Sequence, residues 1–377
     1  MISVSVTADR QDYFGQEIFD LFLAESQWRS DYNHSPRVIY QAPNPNTVNI
    51  LFLSMPSTVP DNIESYDLVL LDNADEAFGR GTETMYEMLY KHANCYLVCN
   101  SVLHPEHFRY NQLNKKIITT MLHWNYHRRA YIEPMFATSR EYQNPAPLPA
   151  SMIYINGRNR SWREHITRTL QQEVPRLQHH NIIHNQSVSE TKFVWYEDSF
   201  DTQAREYFNH MYCNNLTNQE PPEQRWPGIP QGVNGRFGEL AFYDRFFPAF
   251  RQHHVIVYPE STWQNNILSF NEKSLRCFLH QRWAMPFGGA NMHALFKQQG
   301  LATAWTLLPT ELARFDQCLD HVQRWQLQSA AINWLLDHPE VFDSQSAQNT
   351  LIANRAQCIV LSSPAGQQLY ELVHEKT

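Results

Sequence analysis

The chain has 377 residues, and at roughly 100–200 residues per domain this length favours two domains. Hydrophobic residues make up 42% of the sequence and aromatic residues 13%, which excludes a disordered chain. The net charge of −8 disfavours a nucleic-acid coat protein, although a local basic groove remains compatible with it. No apolar stretch reaches the ~20 residues of a membrane-spanning helix, and the first residues are too quickly polar for a signal peptide. We therefore expect no membrane span and a cytoplasmic location, in the host cytoplasm if the source is viral.

In chain order, the first half alternates predicted strands with predicted helices. Short apolar runs predict strands, and apolar residues at helical spacing predict helices. The strand patterns cover 2–7, 38–40, 48–53, 67–71 and 95–99, and the helical patterns cover 12–28 and 84–90. This alternation predicts an α/β fold with an open parallel sheet.

Three prolines within 144–149 indicate a linker, and a second α/β series follows it. Its predicted strands cover 151–155, 193–196, 255–258 and 284–287, and its helices cover 161–172, 272–283 and 291–299, with mostly helical sequence from 310 onwards. We predict an N-terminal domain over 1–147, a second domain over 148–340, and C-terminal helices over 341–377 that pack back on the first domain. Two such domains facing each other across a cleft suit a ligand with two halves.

The turn over 156–160 lies between a predicted strand and a predicted helix, and arginines occupy it and the helix start. Backbone N–H groups at a helix start favour an anion, and the guanidinium groups of Arg158, Arg160 and Arg163 would add forked donors suited to phosphate. The alternative for such a turn is a solvated basic surface.

Residues 269–273 precede another predicted helix and can be interpreted in two ways. Ser269 and Glu272 have the spacing of a capping box, which would be structural. Alternatively, Lys273 binds a diphosphate, and the Glu272 carboxylate accepts hydrogen bonds from two ribose hydroxyls.

Together these segments resemble the donor-binding half of the fucosyltransferase-like glycosyltransferases, including relatives from large phages and viruses. The residues that carry the resemblance in the second segment are Tyr258, Glu260, Phe270, Asn271, Glu272, Lys273, Pro286, Phe287, Gly289, Leu295 and Gly300. In the first segment, 152–170 is similar to the family's strand with Asn-Gly followed by a helix, and Arg163 matches the family's arginine. Asn271 stands where the family usually has threonine, and both residues cap helices.

The resemblance implies a GT-B fold of two Rossmann-like domains and a nucleotide-diphosphate sugar as donor. It implies that Glu272 holds the ribose, and that Lys273 and Arg163 neutralise the departing diphosphate. We expect the donor site to include Arg158, Glu260, Phe270 and Asn271 as well. The transfer is expected to invert the anomeric centre.

We expect neither a metal nor a cofactor, because no Asp-x-Asp motif follows a strand. The pair Asp72 and Asp75 has the wrong spacing. The acceptor hydroxyl needs a base, for which we predict Asp72 at the end of the most apolar strand, ahead of Asp12 after the first strand. Either carboxylate could instead be a helix cap or a surface charge.

The tract 115–129 mixes basic and aromatic residues, and Lys116, Trp124 and Arg128 are the candidates for contact with the acceptor. The acceptor would be a glycan or a hydroxymethylated base of phage DNA. The competing hypothesis is a non-catalytic protein that binds a sugar nucleotide or a glycan. A Rossmann oxidoreductase is disfavoured because the sequence has no G-x-G-x-x-G motif.

Overall fold

The computed structural model describes residues 3–8, 37–40, 44–54, 58–73, 83–99, 101–103, 116–119, 151–156, 161–181, 253–260, 265, 267–269, 271–361 and 365–376. The helix predicted over 12–28 and the strand predicted over 193–196 lie outside these residues. None of the described helices is long and apolar enough to cross a membrane.

A parallel sheet in the first half of the chain contains six strands among the described residues. These are β1 (Ser3–Ala8), β2 (Arg37–Tyr40), β3 (Val48–Ser54), β4 (Leu68–Asn73), β5 (Cys95–Cys99) and β7 (Ile117–Thr119), in the order β2-β1-β3-β4-β5-β7. Helix α1 (Glu83–Lys91) packs Met85, Met88 and Leu89 against this sheet. Residues 68–71 are fully buried, as expected of a central strand that is covered on both faces.

A second parallel sheet follows, with four strands in the described part of the chain. These are β8 (Met152–Asn156), β9 (Gln178–Asn181), β10 (Val255–Pro259) and β12 (Trp283–Phe287), in the order β12-β10-β8-β9. Its side chains alternate between two cores, because successive residues of a strand point to opposite faces. Ile153 and Ile256 belong to one core, whereas Tyr154 and Val257 belong to the other. The predicted α/β class is therefore confirmed.

Helices cover both faces of the second sheet. The α-helices described in this half of the chain are α2 (Ser161–Glu173), α3 (Glu272–Leu279), α4 (Met292–Gln298), α5 (Thr310–Ala313), α6 (His321–Asp337), α7 (Gln345–Val360) and α8 (Ala365–His374). Helices α2 and α6 pack together over one face, and α3 and α4 cover the other, with α7 against α3. Helix α8 instead packs against β7 of the first sheet.

Both sheets have the strand order that creates a switch point. In the first sheet β1 lies between β2 and β3, and in the second sheet β8 lies between β9 and β10. At such a point the chain leaves the first strand in one direction and later continues in the other, which opens a crevice at the carboxyl ends of the strands. In the second sheet the switch point lies between the ends of β8 and β10.

A short antiparallel ladder links the two halves of the chain. Strand β6 (Ser101–Leu103) pairs with β11 (Ile267–Ser269). Ile267 packs into the core of the first sheet, and Val102 packs against the core of the second. Neither three-residue strand was predicted, because segments this short carry no periodicity.

The helix predicted over 272–283 is shorter than expected. Helix α3 ends at Leu279, and Gln281 adopts a left-handed conformation with φ 53°. Trp283 then opens β12 instead of closing the helix. The end of α4 agrees with the prediction, since Gly300 has φ 74°, a conformation that suits glycine after a helix.

The start of α4 is held by a buried carboxylate from elsewhere in the fold. Asp316 is 1% exposed, and its carboxylate accepts hydrogen bonds from the backbone N–H groups of His293 (3.0 Å) and Ala294 (2.9 Å). Burial raises the pKa of Asp316 to about 6, although the backbone hydrogen bonds and the charge of Arg324 act in the opposite direction.

This pKa predicts an unusual pH dependence of stability. Because the pKa of Asp316 is higher in the folded chain than in the unfolded one, its contribution is greatest at low pH and is lost as the pH rises through about 6. Relative to Asp316→Asn, the free energy of unfolding of the wild type should rise by about 1 kcal/mol between about pH 7 and about pH 5. Urea unfolding of both proteins at the two pH values measures this difference. A difference in unfolding free energy between the two proteins that stays the same at both pH values would contradict this prediction.

Candidate functional site

The candidate site lies at the carboxyl edge of the second sheet. Strand β8 ends at Asn156, Glu260 follows β10, and Gly288 follows β12. Helix α2 follows β8, and the start of α3 is held at the end of β10 by the hydrogen bond from Asn271 to Glu260. Backbone N–H groups at the starts of helices carry partial positive charge, so this edge favours an anion before any side chain is counted.

Arg163 crosses from α2 to the end of β10. Its side chain is 3% exposed, and its Nε and Nη2 donate to the backbone oxygen of Glu260 at 3.2 and 3.1 Å. The helix is held in place by Trp162 and Ile166, which are buried in the core beneath it. A guanidinium group therefore lies at the switch point between β8 and β10.

Glu260 is buried and holds the start of α3. Its side chain is 1% exposed, and its two carboxylate oxygens accept hydrogen bonds from Asn271 Nδ2 and, at 3.4 Å, from Ser274 Oγ. The Ser274 hydroxyl also forms a 2.7 Å hydrogen bond with the hydroxyl of Tyr258, on the strand that carries Glu260. The sequence predicted direct contact between Glu260 and a donor. In the structure its carboxylate oxygens accept hydrogen bonds from Asn271 and Ser274, and its contact with a donor stays a prediction.

Asn271 is the N-cap of α3. Its Oδ1 accepts hydrogen bonds from the backbone N–H groups of Lys273 (3.0 Å) and Ser274 (3.1 Å), and its Nδ2 donates to Glu260. The capping-box alternative for Ser269 and Glu272 is not formed, because Ser269 ends β11 and Asn271 occupies the cap position. Asn271 thus orients the first turn of α3, where Lys273 is half-exposed.

Glu260 connects the two cationic elements of the site. Its backbone oxygen binds the guanidinium of Arg163, and its carboxylate fixes Asn271, which caps the turn that carries Lys273. One residue at the switch point therefore brings an arginine from α2 and the start of α3 to the same edge of the sheet.

A second buried arginine lies beside this edge and was not predicted from the sequence. Arg324 of α6 is 1% exposed, and its Nε donates to Gly288 O at 3.1 Å. Its Nη1 donates to Asn265 Oδ1 at 2.9 Å. Burial lowers the pKa of Arg324 to about 10. No motif surrounds Arg324 in the sequence, so only its tertiary contacts identify it.

Several predicted site residues are not described by the structure. Asp12, Trp124, Arg128, Arg158 and Phe270 lie outside the described residues. Glu272 is described only in its backbone, as the first residue of α3. Their roles stay predictions.

The remaining predicted residues belong to the first sheet. Asp72 is buried near the carboxyl end of β4, the edge at which a base was predicted. Lys116 lies just before β7, at the opposite end of the sheet, and its Nζ donates to the backbone oxygens of Leu89 and His92, both at 2.8 Å. Burial lowers the pKa of Lys116. Lys116 thus holds the end of α1, away from the carboxyl edge, and its contact with an acceptor stays a prediction.

Comparison with known proteins finds structural similarity only. No protein-family model matches the chain, and no curated protein matches it in sequence. An α1,3-fucosyltransferase solved with GDP-fucose has a TM-score of 0.43 and 10% identity, covering 100% of this chain and 91% of its own. A glycosyltransferase from Rickettsia africae has a TM-score of 0.42 and 10% identity, with coverages of 99% and 98%. A UDP-GlcNAc 2-epimerase from Neisseria meningitidis bound to UDP-GlcNAc has a TM-score of 0.33 and 10% identity, with coverages of 100% and 99%. At these identities and TM-scores the similarity does not assign a function to this chain.

Proposed function

We propose that this chain is a glycosyltransferase of the GT-B type, which moves a sugar from a nucleotide-diphosphate sugar to an acceptor hydroxyl. The observation that carries the proposal is the junction at Glu260. Its backbone oxygen holds Arg163, and its carboxylate holds the N-cap of the helix that carries Lys273. The residue that holds Arg163 thus also holds the start of the helix that carries Lys273, and it does so at a switch point, where open α/β sheets bind their ligands.

This arrangement suits a diphosphate leaving group. As the bond between the sugar and the diphosphate breaks, negative charge builds on the departing phosphate, and fixed positive groups stabilise it. Lys273 and the backbone N–H groups of α3 would bind that charge on one side, and Arg163 on the other. The cationic groups take the role that a metal ion would otherwise have, and the transfer inverts the sugar.

The other roles follow from the sequence. Glu272 binds the ribose, and Arg158 and Phe270 complete the donor site. Asp72 or Asp12 removes the proton of the acceptor hydroxyl. The donor domain covers 148–340, the acceptor domain covers 1–147, and the C-terminal helices cover 341–377.

The acceptor is a glycan or a hydroxymethylated base of DNA, and the protein acts in the cytoplasm. A DNA acceptor that contacts Trp124 and Arg128 would bind with a steep dependence on salt concentration, because neutralised phosphates release counterions. A neutral glycan acceptor would bind with little salt dependence. Acceptor affinity measured at several salt concentrations separates the two.

A thermal-shift panel tests whether the chain binds a nucleotide diphosphate. The panel contains GDP, UDP and CDP together with GDP-fucose, UDP-GlcNAc and UDP-glucose. A ligand at ~100 times its Kd adds about 2.7 kcal/mol to the stability of the folded state, so the matching nucleotide should raise the Tm by several degrees. Arg163→Ala should lose this response. A wild type that responds to no nucleotide on the panel would refute the proposal.

The competing function is a protein that binds a sugar nucleotide without transferring the sugar. The release of the nucleoside diphosphate from the matching donor distinguishes the two functions. Release that depends on an acceptor supports the transferase. A thermal shift without release, under every acceptor supplied, supports the binding protein.

A further inference from the structure

The last residue of β8, Asn156, buries its side-chain amide oxygen. Asn156 is 5% exposed, and no group in the described part of the chain donates to its Oδ1. A buried carbonyl oxygen that lost its water and gained no donor destabilises a fold, and few such atoms persist in native proteins without a reason. A ligand that donates to this oxygen would supply one.

Asn156 lies on the face of the sheet that α2 covers. Residues alternate along β8, so Asn156 shares a face with Met152 and Tyr154, which pack in the core under α2. The Tyr154 hydroxyl is 3.5 Å from the backbone oxygen of Arg163. Asn156 therefore lies at the end of β8, beside the switch point between β8 and β10, on the side of the sheet that is covered by the helix carrying Arg163.

The chemistry of the oxygen selects the part of the ligand that it can contact. An ionised diphosphate offers only acceptors, so Asn156 Oδ1 must bind a group that bears a hydrogen. In the proposed function the ribose lies at the start of α3, and the diphosphate lies between Lys273 and Arg163. The next part of the donor in that direction, towards β8, is the transferred sugar.

We propose that Asn156 accepts a hydrogen bond from a hydroxyl of the transferred sugar, and so selects donors that carry a hydroxyl at that position. This inference rests on the proposed function. A site that hydrogen-bonds a substrate hydroxyl discriminates strongly against an analogue without it, because the buried polar group is then left without a partner. The buried amide oxygen of Asn156 would discriminate in this way against a donor that lacks the hydroxyl.

The test compares the affinities of Asn156→Leu and the wild type for two probes by calorimetry. The probes are a sugar nucleotide and the matching diphosphate, either GDP-fucose and GDP or UDP-GlcNAc and UDP. We expect the Kd of the sugar nucleotide to rise roughly fivefold to tenfold, and the Kd of the diphosphate to stay within about twofold. The Tm without ligand should be unchanged or higher, because the substitution removes a buried amide oxygen that has no donor in the described part of the chain. A residue with a structural role would not give this combination.

Asn181→Leu is the matched control, because Asn181 pairs with Asn156 in the register of β8 and β9, one strand away from the switch point. It should change neither affinity. Asn156→Ala, which cannot overfill the space, repeats the comparison if the leucine variant fails to fold. The inference would be overturned if the affinities for both probes fell equally. It would also be overturned if Asn156→Leu and Asn156→Ala both lowered the Tm by several degrees. A wild type that binds neither probe refutes the proposed function itself, and the inference with it.

Discussion

Turnover of the matching donor is expected to fall at least ~100-fold when Lys273 is replaced by alanine, the usual loss for an electrostatic stabiliser of a developing charge. Lys273 is half-exposed in the first turn of α3, and the cap of this helix is formed by Asn271. The substitution should therefore leave the fold intact. Steady-state release of the nucleoside diphosphate measures the turnover, and the Tm without ligand checks the fold.

Lys297→Ala provides the matched control for Lys273→Ala. Lys297 is an exposed lysine in the last turn of α4, so its removal changes the net charge equally without touching the site. Its turnover should equal that of the wild type. If Lys273→Ala also retained wild-type turnover, the assignment of the diphosphate site would be wrong.

Arg163→Ala should reduce turnover by a similar factor and should also weaken the fold. Arg163 donates two hydrogen bonds to the end of β10, so its loss removes the charge and leaves the backbone oxygen of Glu260 without these donors. Such a loss costs about 1–3 kcal/mol. If both Lys273→Ala and Arg163→Ala had normal turnover, the junction at Glu260 would no longer support the transferase proposal.

The second large effect concerns stability in acid. His254 is 4% exposed and packs its ring 5.3 Å from that of Phe342, and both ring nitrogens lack a hydrogen-bond partner in the described part of the chain. Burial and the charge of Arg282 lower its pKa from 6.5 to about 4, although Asp343 acts in the opposite direction. The folded state therefore holds this histidine neutral under conditions in which the unfolded chain protonates it.

His254→Phe is expected to stabilise the protein in acid and to have little effect at neutral pH. Because the pKa is lowered by folding, the contribution of His254 is fully present above its unfolded pKa and is lost as the pH falls towards its folded value. The free energy of unfolding of His254→Phe should exceed that of the wild type by about 2 kcal/mol at about pH 5. Urea unfolding of both proteins at about pH 5 and at neutral pH measures this gain.

His374→Gln is the control for the acid measurement, because the side chain of His374 is exposed on α8. Its stability should follow that of the wild type. Burial also lowers the pKa of His165 to about 4 and that of His293 to about 3, so the wild type should lose stability steeply below about pH 6.5. An equal pH dependence for His254→Phe and the wild type would show that His254 does not contribute to this loss.

The regular elements of the second sheet could be predicted from the sequence because their signals are local. A continuous apolar run such as 255–258 fits a strand that is buried on both faces, and the structure has β10 there. The start of α3 at Glu272 and the left-handed Gly300 after α4 also follow from nearby residues. Each signal depends on the backbone geometry of a few consecutive residues.

The residues of the site could be predicted from the sequence, but the hydrogen bonds between them could not. Arg163 and Glu260 were both expected to touch the donor. The hydrogen bonds between them join residues 97 positions apart, and no local pattern encodes such a pairing. The hydrogen bonds from Asn271 and Ser274 to the buried carboxylate of Glu260 likewise join residues that lie more than one turn apart in the chain, so they became visible only in the fold.

The sequence by itself determined most of the strands and helices and the α/β class. Helix and strand geometry repeat their side-chain directions over a few residues, so the spacing of apolar residues reveals them. Only the tertiary structure decided that β6 pairs with β11, that Asp316 holds the start of α4, and that Arg324 lies beside the site. Those contacts depend on which distant segments share a core. Burial then sets the charges and the hydrogen bonds of the groups that meet there.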